Sequence, residues 1–224
     1  MMNYSCVIFD IDGTLTQTNE LIFDSFNHVA EKYLKKTFTP KEIIAMFGPP
    51  EEIAIERLVG KENVDKAMED YISYYDRNFL RDAEIFEGMR EIIESLKKKG
   101  LRLGIFTGKG RRSTLITLDK LGIAKYFDMV VTGTDVTNHK PSSEGINKIL
   151  ENFKVEPDRV LMVGDAVSDI KAAHEAGVSI AAVVWDSYAK EKVMGMEVDY
   201  LFHSVDEFSR WMQMHVPGNG ASVE

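Results

Sequence analysis

The sequence is poor in cysteine, in long apolar runs and in positive charge. Its 224 residues include a single cysteine, Cys6, so no disulfide can form within the chain. Apolar runs reach about five residues, far below the ~20 that a membrane-spanning helix needs, and residues 1–5 show no secretion signal pattern. We therefore expect a soluble cytoplasmic protein in a reducing compartment, without a membrane partner.

Positive charge is scarce relative to negative charge. The chain has 27 Lys and Arg residues against 36 Asp and Glu residues, a formal net charge of −9. This balance argues against non-specific binding to nucleic acid or to anionic membranes. An anionic substrate would have to be held locally, by a few basic side chains, by backbone N–H groups or by a metal ion. The sequence leaves the oligomeric state open.

Short apolar runs alternate with helical patterns over most of the chain. The runs lie at residues 6–9, 101–106, 129–131, 160–163, 180–184 and, more weakly, 200–202. Uninterrupted apolar runs are typical of strands covered on both faces, as in parallel sheets. The sequence therefore predicts an α/β fold with an open, parallel, Rossmann-like sheet. Pro141 is predicted to lie in the first turn of a helix that runs toward Leu150.

Residues 17–84 break this alternation and lack a strand-like run. Apolar residues recur at helical spacing from Ile22 to Tyr33 and from Val64 to Phe79, and Thr39-Pro40 favours a shorter helix between them. We predict an all-helical domain at 17–84, inserted into a core domain formed by 1–16 and 85–216. Residues 217–224, with Pro and Gly and little to bury, are predicted to be a disordered tail.

Polar residues follow the predicted strands at the points where they end. Asp10 and Asp12 follow the first strand, Thr107 follows the second, and Asp165 follows the strand at 160–163. Lys140 lies between the strand at 129–131 and the next helix. Because the carboxyl ends of parallel strands share one edge of the sheet, where ligands bind, we expect these side chains to converge.

The chemistry of this set favours a metal ion and a phosphate. Three carboxylates close together raise one another's pKa, and Mg²⁺, which prefers oxygen ligands, removes that repulsion. Lys140, the Thr107 hydroxyl and the Gly108 N–H could bind a phosphoryl group. Taken singly, these residues have simpler explanations: an Asp-Gly turn, a helix cap at Thr107 or Asp165, and a surface lysine.

Four motifs of the sequence together resemble the haloacid dehalogenase superfamily. They are Asp10-Ile11-Asp12-Gly13-Thr14-Leu15, Phe106-Thr107-Gly108, His139-Lys140-Pro141 and Gly164-Asp165-Ala166-Val167-Ser168-Asp169. The predicted helical insertion is similar to the cap domain of that superfamily. Phe47-Gly48-Pro49-Pro50 resembles a cap segment of its phosphoglycolate phosphatase-like branch, which includes pyrophosphatases.

The resemblance implies a role for each motif residue. Asp10 would be the nucleophile that accepts the phosphoryl group, and Asp12 the general acid and base. Thr107, Gly108 and Lys140 would bind phosphate, although relatives often carry Asn or Ser at position 108. The implied metal ligands are Asp10, Asp12 (through its backbone carbonyl) and Asp165, and Asp169 would support the metal or Lys140.

These observations favour an enzyme, a Mg²⁺-dependent phosphatase of small phosphorylated metabolites. Pyrophosphatase, phosphomutase similar to β-phosphoglucomutase, and non-catalytic regulatory binding remain alternatives. Gly48 and Arg57 of the insertion are candidate substrate contacts. Lys109, or one of the arginines that follow it, could bind a second anionic group, but a solvated helix start is the favoured interpretation.

Overall fold

The structure, a computed structural model, describes residues 4–216. The strands are β1 (Cys6–Phe9), β2 (Thr16–Gln17), β3 (Glu84–Ile85), β4 (Arg102–Phe106), β5 (Met129–Val131), β6 (Val160–Gly164), β7 (Ser179–Val183) and β8 (Tyr200–Phe202). The helices are α1 (Asn19–Leu34), α2 (Pro40–Ile44), α3 (Glu51–Val59), α4 (Val64–Asp82), α5 (Met89–Lys98), α6 (Arg111–Lys120), α7 (Glu144–Phe153), α8 (Val167–Ala176), α9 (Lys190–Met194) and α10 (Val205–His215). The tail predicted at 217–224 lies outside the described residues.

Six strands form one parallel sheet in the order β5-β4-β1-β6-β7-β8. β1 lies at the centre, and its residues alternate between two cores. Val7 and Phe9 pack into the core on one face of the sheet, and Cys6 and Ile8 into the core on the other. Burial on both faces explains the uninterrupted apolar runs and confirms the predicted α/β fold.

The helical insertion, α1 to α4, has an apolar core of its own. Phe26, Tyr71, Tyr75 and Phe79 are among its buried side chains. The insertion leaves and rejoins the core through the antiparallel pair β2 and β3, in which Thr16 faces Ile85. These two strands could not be predicted from the sequence, because two-residue strands are too short to produce a periodic pattern.

The helical insertion docks onto α6 of the core. The Tyr75 hydroxyl lies 2.9 Å from Thr117 Oγ1, and Arg112 pairs with Glu69 at 2.6 Å. Glu51, at the start of α3, accepts a hydrogen bond from the Gly110 N–H at 2.5 Å. These contacts hold the insertion over the carboxyl edge of the sheet. Among residues 4–216, no helix is both long and apolar enough to cross a membrane.

The position predicted for Pro141 is wrong. The helix that follows begins at Glu144, with Ser143 as its N-cap, so Pro141 precedes its first turn. The Lys140–Pro141 peptide bond is cis. Residues 139–142 form a turn, closed by a hydrogen bond from the Ser142 N–H to the His139 carbonyl, and this turn carries Lys140 at the sheet edge.

Candidate active site

A cavity of about 620 Å³ lies between the carboxyl edge of the sheet and the helical insertion. Its lining contains nearly all the residues singled out in the sequence: Asp10, Asp12, Gly48, Thr107, Gly108, Lys109, Lys140, Asp165 and Asp169. Arg57 is the exception, since it is exposed near the end of α3 and does not line the cavity. The predicted convergence of strand-end residues therefore holds, and Arg57 takes no part in the site.

Lys140 is buried among acidic side chains. Its Nζ lies 2.7 Å from Asp169 Oδ1 and 3.2 Å from Asp10 Oδ1, and its side chain is 4% exposed. Burial by itself lowers the pKa of Lys140, but the charges of Asp10 and Asp169 outweigh it and raise the pKa above its usual value. The ammonium group is therefore fixed and protonated at the sheet edge.

Three carboxyl groups form a compact acidic cluster. Oxygens of Asp10, Asp165 and Asp169 lie within 4.8 Å of one another. Burial is the main cause that raises the pKa of Asp10 to about 6, against the opposing charge of Lys140. Burial, and then the charges of Asp169 and Asp10, raise the pKa of Asp165. Asp10 Oδ1 is buried, and the charged group beside it is Lys140 Nζ at 3.2 Å. A divalent cation would relieve the repulsion among the three carboxylates, so the cluster fits such an ion.

The carboxylates of this cluster are the two predicted side-chain ligands, Asp10 and Asp165, together with Asp169. The contact predicted for Asp12 is through its backbone carbonyl, and its side chain is directed toward Thr18. Asp169 is held by Lys140 and by the Ala166 N–H, which donates to Oδ2 at 3.0 Å. Gly13, with φ of 76°, lets the loop after β1 approach Asp165, because a Cβ there would lie 2.7 Å from Asp165 Oδ2.

The Asp12 carboxylate is oriented by two partners. Thr18 donates its hydroxyl to Oδ1 at 2.5 Å, and Lys109 Nζ lies 3.2 Å from Oδ2. The Lys109 side chain is only 3% exposed, and its Nζ lies 4.6 Å from the centre of the Tyr75 ring. The interpretation of Lys109 as part of a solvated helix start is therefore wrong.

The two arginines that follow Lys109 are engaged elsewhere. Arg111 forms an ion pair with Asp135, and Arg112 forms one with Glu69 of the helical insertion. Both arginines are about half exposed, as a solvated helix start predicts. Neither lines the cavity, so Lys109 is the basic residue of this segment that belongs to the site.

Thr107 and Gly108 lie beneath the loop that joins α2 and α3. The Thr107 hydroxyl accepts a hydrogen bond from the Lys109 N–H at 3.2 Å. A Cβ at position 108 would lie 3.1 Å from the Gly48 carbonyl oxygen, so Gly108 gives this loop room to approach. Gly48 thus lies over the phosphate-binding candidates, but it is exposed and brings a carbonyl group rather than a charge.

The opposite side of the cavity is apolar. We name it the apolar wall, and it consists of Ile22, Phe26, Met46, Phe47, Ala54 and Tyr71. Tyr188, from the segment after β7, lies beside this wall, since both Phe47 and Tyr188 contact the Phe23 ring, at 6.4 Å and 5.6 Å between centroids.

Sequence reasoning missed three residues of the site: Thr18, Tyr75 and Tyr188. Tyr75 lies at a core position of the helical insertion, as its spacing predicts, and also covers Lys109. Thr18 is the residue just before α1, a position that suggests a helix cap rather than a partner for Asp12. Tyr188 lies in an irregular segment without any pattern.

Comparisons with known proteins agree with this geometry. The model of the haloacid dehalogenase-like hydrolases matches residues 7–183. Pyrophosphatase PpaX of Anoxybacillus flavithermus is 32% identical over 206 residues, which cover 92% of this chain and 95% of that protein.

Solved structures give the same result. The structure of a candidate phosphoglycolate phosphatase from Lactobacillus plantarum has a TM-score of 0.77 and 25% identity, with 93% of this chain and 99% of that chain covered. One from Thermotoga maritima, titled as a candidate β-phosphoglucomutase, has a TM-score of 0.72 and 29% identity, with 94% and 99% covered. The chain therefore belongs to the haloacid dehalogenase-like hydrolase family.

Proposed function

We propose that this protein is a Mg²⁺-dependent phosphatase that hydrolyses small phosphorylated metabolites through an aspartyl-phosphate on Asp10. One observation carries the proposal. Lys140 is buried between Asp10 and Asp169, beside Asp165, where the strands end. A fixed cation next to a buried carboxylate is the arrangement needed to bring a dianionic phosphoryl group to a nucleophile.

The acidic cluster supports a single Mg²⁺ ion. Asp10 and Asp165 would hold it through carboxylate oxygens, and the backbone carbonyl of Asp12 is a third candidate ligand. Asp169 already accepts hydrogen bonds at both oxygens, so it would mainly position Lys140. The ion would neutralise the charges of the carboxylates and of the phosphoryl oxygens. The negatively charged phosphoryl group could then approach the Asp10 carboxylate.

The first half-reaction transfers the phosphoryl group to the protein. Lys140, the Thr107 hydroxyl and the Gly108 N–H bind the phosphoryl oxygens. An Asp10 oxygen attacks phosphorus, the bond from phosphorus to the leaving oxygen breaks, and Asp12 donates a proton to that oxygen. Thr18 and Lys109 hold Asp12 away from the acidic cluster, on the side where the leaving group would lie.

The second half-reaction returns the protein to its starting state. Asp12, now a carboxylate, takes a proton from a water molecule that attacks the same phosphorus atom. The bond between Asp10 and phosphorus breaks, and inorganic phosphate leaves. The helical insertion, with boundaries that we propose at residues 17 and 84, would open at β2 and β3 to admit the substrate and close to exclude bulk water.

Pyrophosphate is the second candidate substrate. The family relative PpaX, which covers nearly the whole chain at 32% identity, is named a pyrophosphatase. The chemistry would be the same, with phosphate in place of an alcohol as the leaving group. The similarity to the candidate β-phosphoglucomutase adds a mutase as a third possibility to test.

Phosphate release from a panel of substrates tests the proposal. The panel contains phosphoglycolate, pyrophosphate, sugar phosphates and aryl or alkyl phosphates, each assayed with Mg²⁺ and with excess chelator. We expect release that depends on Mg²⁺, with no isomerisation of sugar phosphates. Silence on every substrate with Mg²⁺ would refute the phosphatase, and conversion of one sugar phosphate isomer to another would establish a mutase.

A further inference from the structure

We infer that the preferred substrate is a phosphate monoester whose alcohol part is uncharged and apolar, with an aromatic ring as the best fit. The inference rests on the proposed function and adds the chemical class of the leaving group. It differs from the substrates in the names of the relatives, pyrophosphate and phosphoglycolate, since both carry a second anionic group next to the phosphoryl group being transferred.

The apolar wall is the first observation. It lies across the cavity from the residues proposed to bind the phosphoryl group. The cavity volume, about 620 Å³, is far more space than a second phosphate or a two-carbon acid would fill. Four of its six residues, Ile22, Phe26, Ala54 and Tyr71, are also buried in the core of the helical insertion. The wall is therefore fixed in place and presents apolar surface to whatever is bound to phosphorus.

Two exposed aromatic side chains beside this wall are the second observation. Phe47 is 40% exposed and Tyr188 is 49% exposed, and both line the cavity. Phe23, which is buried, packs against both rings. An aromatic group bound in the cavity would pack against the rings of Phe47 and Tyr188 and bury their exposed faces.

The third observation is that the helical insertion brings no cation to the cavity. Of the cavity-lining residues between 17 and 84, all within the described part of the chain, none is Lys, Arg or His, and Glu51 adds a carboxylate. Lys140 is paired with Asp10 and Asp169, and Lys109 with Asp12.

The remaining lysines of the lining, Lys171 and Lys192, are exposed to solvent. A charge there is screened by water and by salt, so neither lysine offers a desolvated partner for an anion. A carboxylate or phosphate placed against the apolar wall would lose its hydration without compensation.

The reaction remains an ordinary monoester hydrolysis. The bond between phosphorus and the alcohol oxygen breaks, and Asp12 supplies the proton that converts this oxygen to a hydroxyl. Water supplies one oxygen and one proton to inorganic phosphate, and its other proton returns to Asp12. No oxidant or further reactant is needed. The enzymes before and after this step must therefore make a phosphate ester of an apolar alcohol and use the free alcohol.

A matched pair of substrates isolates the leaving group. Benzyl phosphate and phosphoglycolate both release a primary alcohol, but one carries a ring where the other carries a carboxylate. We expect kcat/KM for benzyl phosphate to exceed that for phosphoglycolate by at least about tenfold, with pyrophosphate lower as well. Higher kcat/KM for phosphoglycolate or pyrophosphate would overturn the inference and leave the phosphatase intact. Silence on every substrate would overturn both.

Variants at an exposed position separate binding from folding. Phe47→Ala should lower kcat/KM for benzyl phosphate by about tenfold, with a smaller change for phosphoglycolate, because the lost contact is to the ring. Phe47→Lys adds a cation to the wall and should shift the ratio of the two kcat/KM values toward phosphoglycolate by about tenfold or more. Leu80→Ala is the matched control, since Leu80 is 73% exposed and does not line the cavity. Equal effects on both substrates in the two Phe47 variants would contradict the inference.

Discussion

The two sides of the cavity are built in opposite ways. The side formed by the sheet, which we name the charged wall, consists of Asp10, Asp12, Lys109, Lys140, Asp165 and Asp169. Its side chains are held by ion pairs and hydrogen bonds at 2.5–3.4 Å. The apolar wall, formed by the helical insertion, has no cation and is held by packing. We propose that the sheet side determines the reaction, whereas the insertion determines which group bound to phosphorus is accepted.

Loss of Asp10 should have the largest effect on the charged wall. Asp10→Asn removes the nucleophile and is expected to lower kcat for every substrate by at least about a thousandfold, or about 4 kcal/mol in the activation barrier. Phosphate release is the measurement. Asp24→Asn, at an exposed position of α1, is the control and should retain activity. Comparable rates for the two variants would remove Asp10 from the mechanism.

Loss of Lys140 should affect both stability and activity. Lys140→Met leaves the carboxylates of Asp10 and Asp169 buried without their cation. We expect the free energy of unfolding to fall by about 3–5 kcal/mol, as measured by urea denaturation. Lys98→Met, at an exposed lysine of α5, should change it by less than about 0.5 kcal/mol. If the two variants are equally stable, the charged wall is not held together by Lys140.

Addition of Mg²⁺ should stabilise the protein because it relieves the repulsion within the acidic cluster. At about a hundred times its Kd, the ion is expected to stabilise the fold by about 2.7 kcal/mol. For a chain of this size, that corresponds to roughly 5–10 °C in Tm, measured by calorimetry. Asp165→Asn should reduce this shift, whereas Asp24→Asn should leave it intact. An equal Tm with and without Mg²⁺ would show that the cluster binds no magnesium.

The smallest expected effect concerns the contact between α3 of the helical insertion and the start of α6. Glu51→Gln replaces the carboxylate that accepts from the Gly110 N–H and the Ser113 hydroxyl with a neutral amide. We expect a loss of about 1–2 kcal/mol in the free energy of unfolding, by denaturant titration. Glu31→Gln, at an exposed position of α1, is the control. No difference between these variants would mean that the apolar wall is positioned without Glu51.

The charged wall, apart from Lys109, could be predicted from the sequence, and the apolar wall could not. Asp10, Thr107 and Asp165 each follow a buried strand, and the geometry of a parallel sheet brings such positions together without any knowledge of loops. Phe47 and Tyr188 meet only because the helical insertion docks on the core. That docking depends on contacts between distant residues, which leave no local pattern.

The same reasoning explains the individual errors. Lys109 follows a strand and precedes a helix, as solvated lysines often do, and its burial comes from Tyr75 of the insertion. The side chain of Asp12 is directed toward Thr18 and Lys109, whereas spacing alone grouped it with Asp10. Direction of a side chain within a loop depends on the partners available in the fold.

The most direct test of the account is to identify the residue that carries the phosphoryl group during turnover. Protein is mixed with substrate and Mg²⁺, quenched in acid within milliseconds, and digested for mass spectrometry. Asp12→Asn is analysed in parallel, because loss of the base should slow hydrolysis of the intermediate. The account predicts a phosphoryl adduct on Asp10 in the peptide that contains Asp10 and position 12, more abundant in the variant. An adduct on another residue, or none in either protein while phosphate is released, would contradict it.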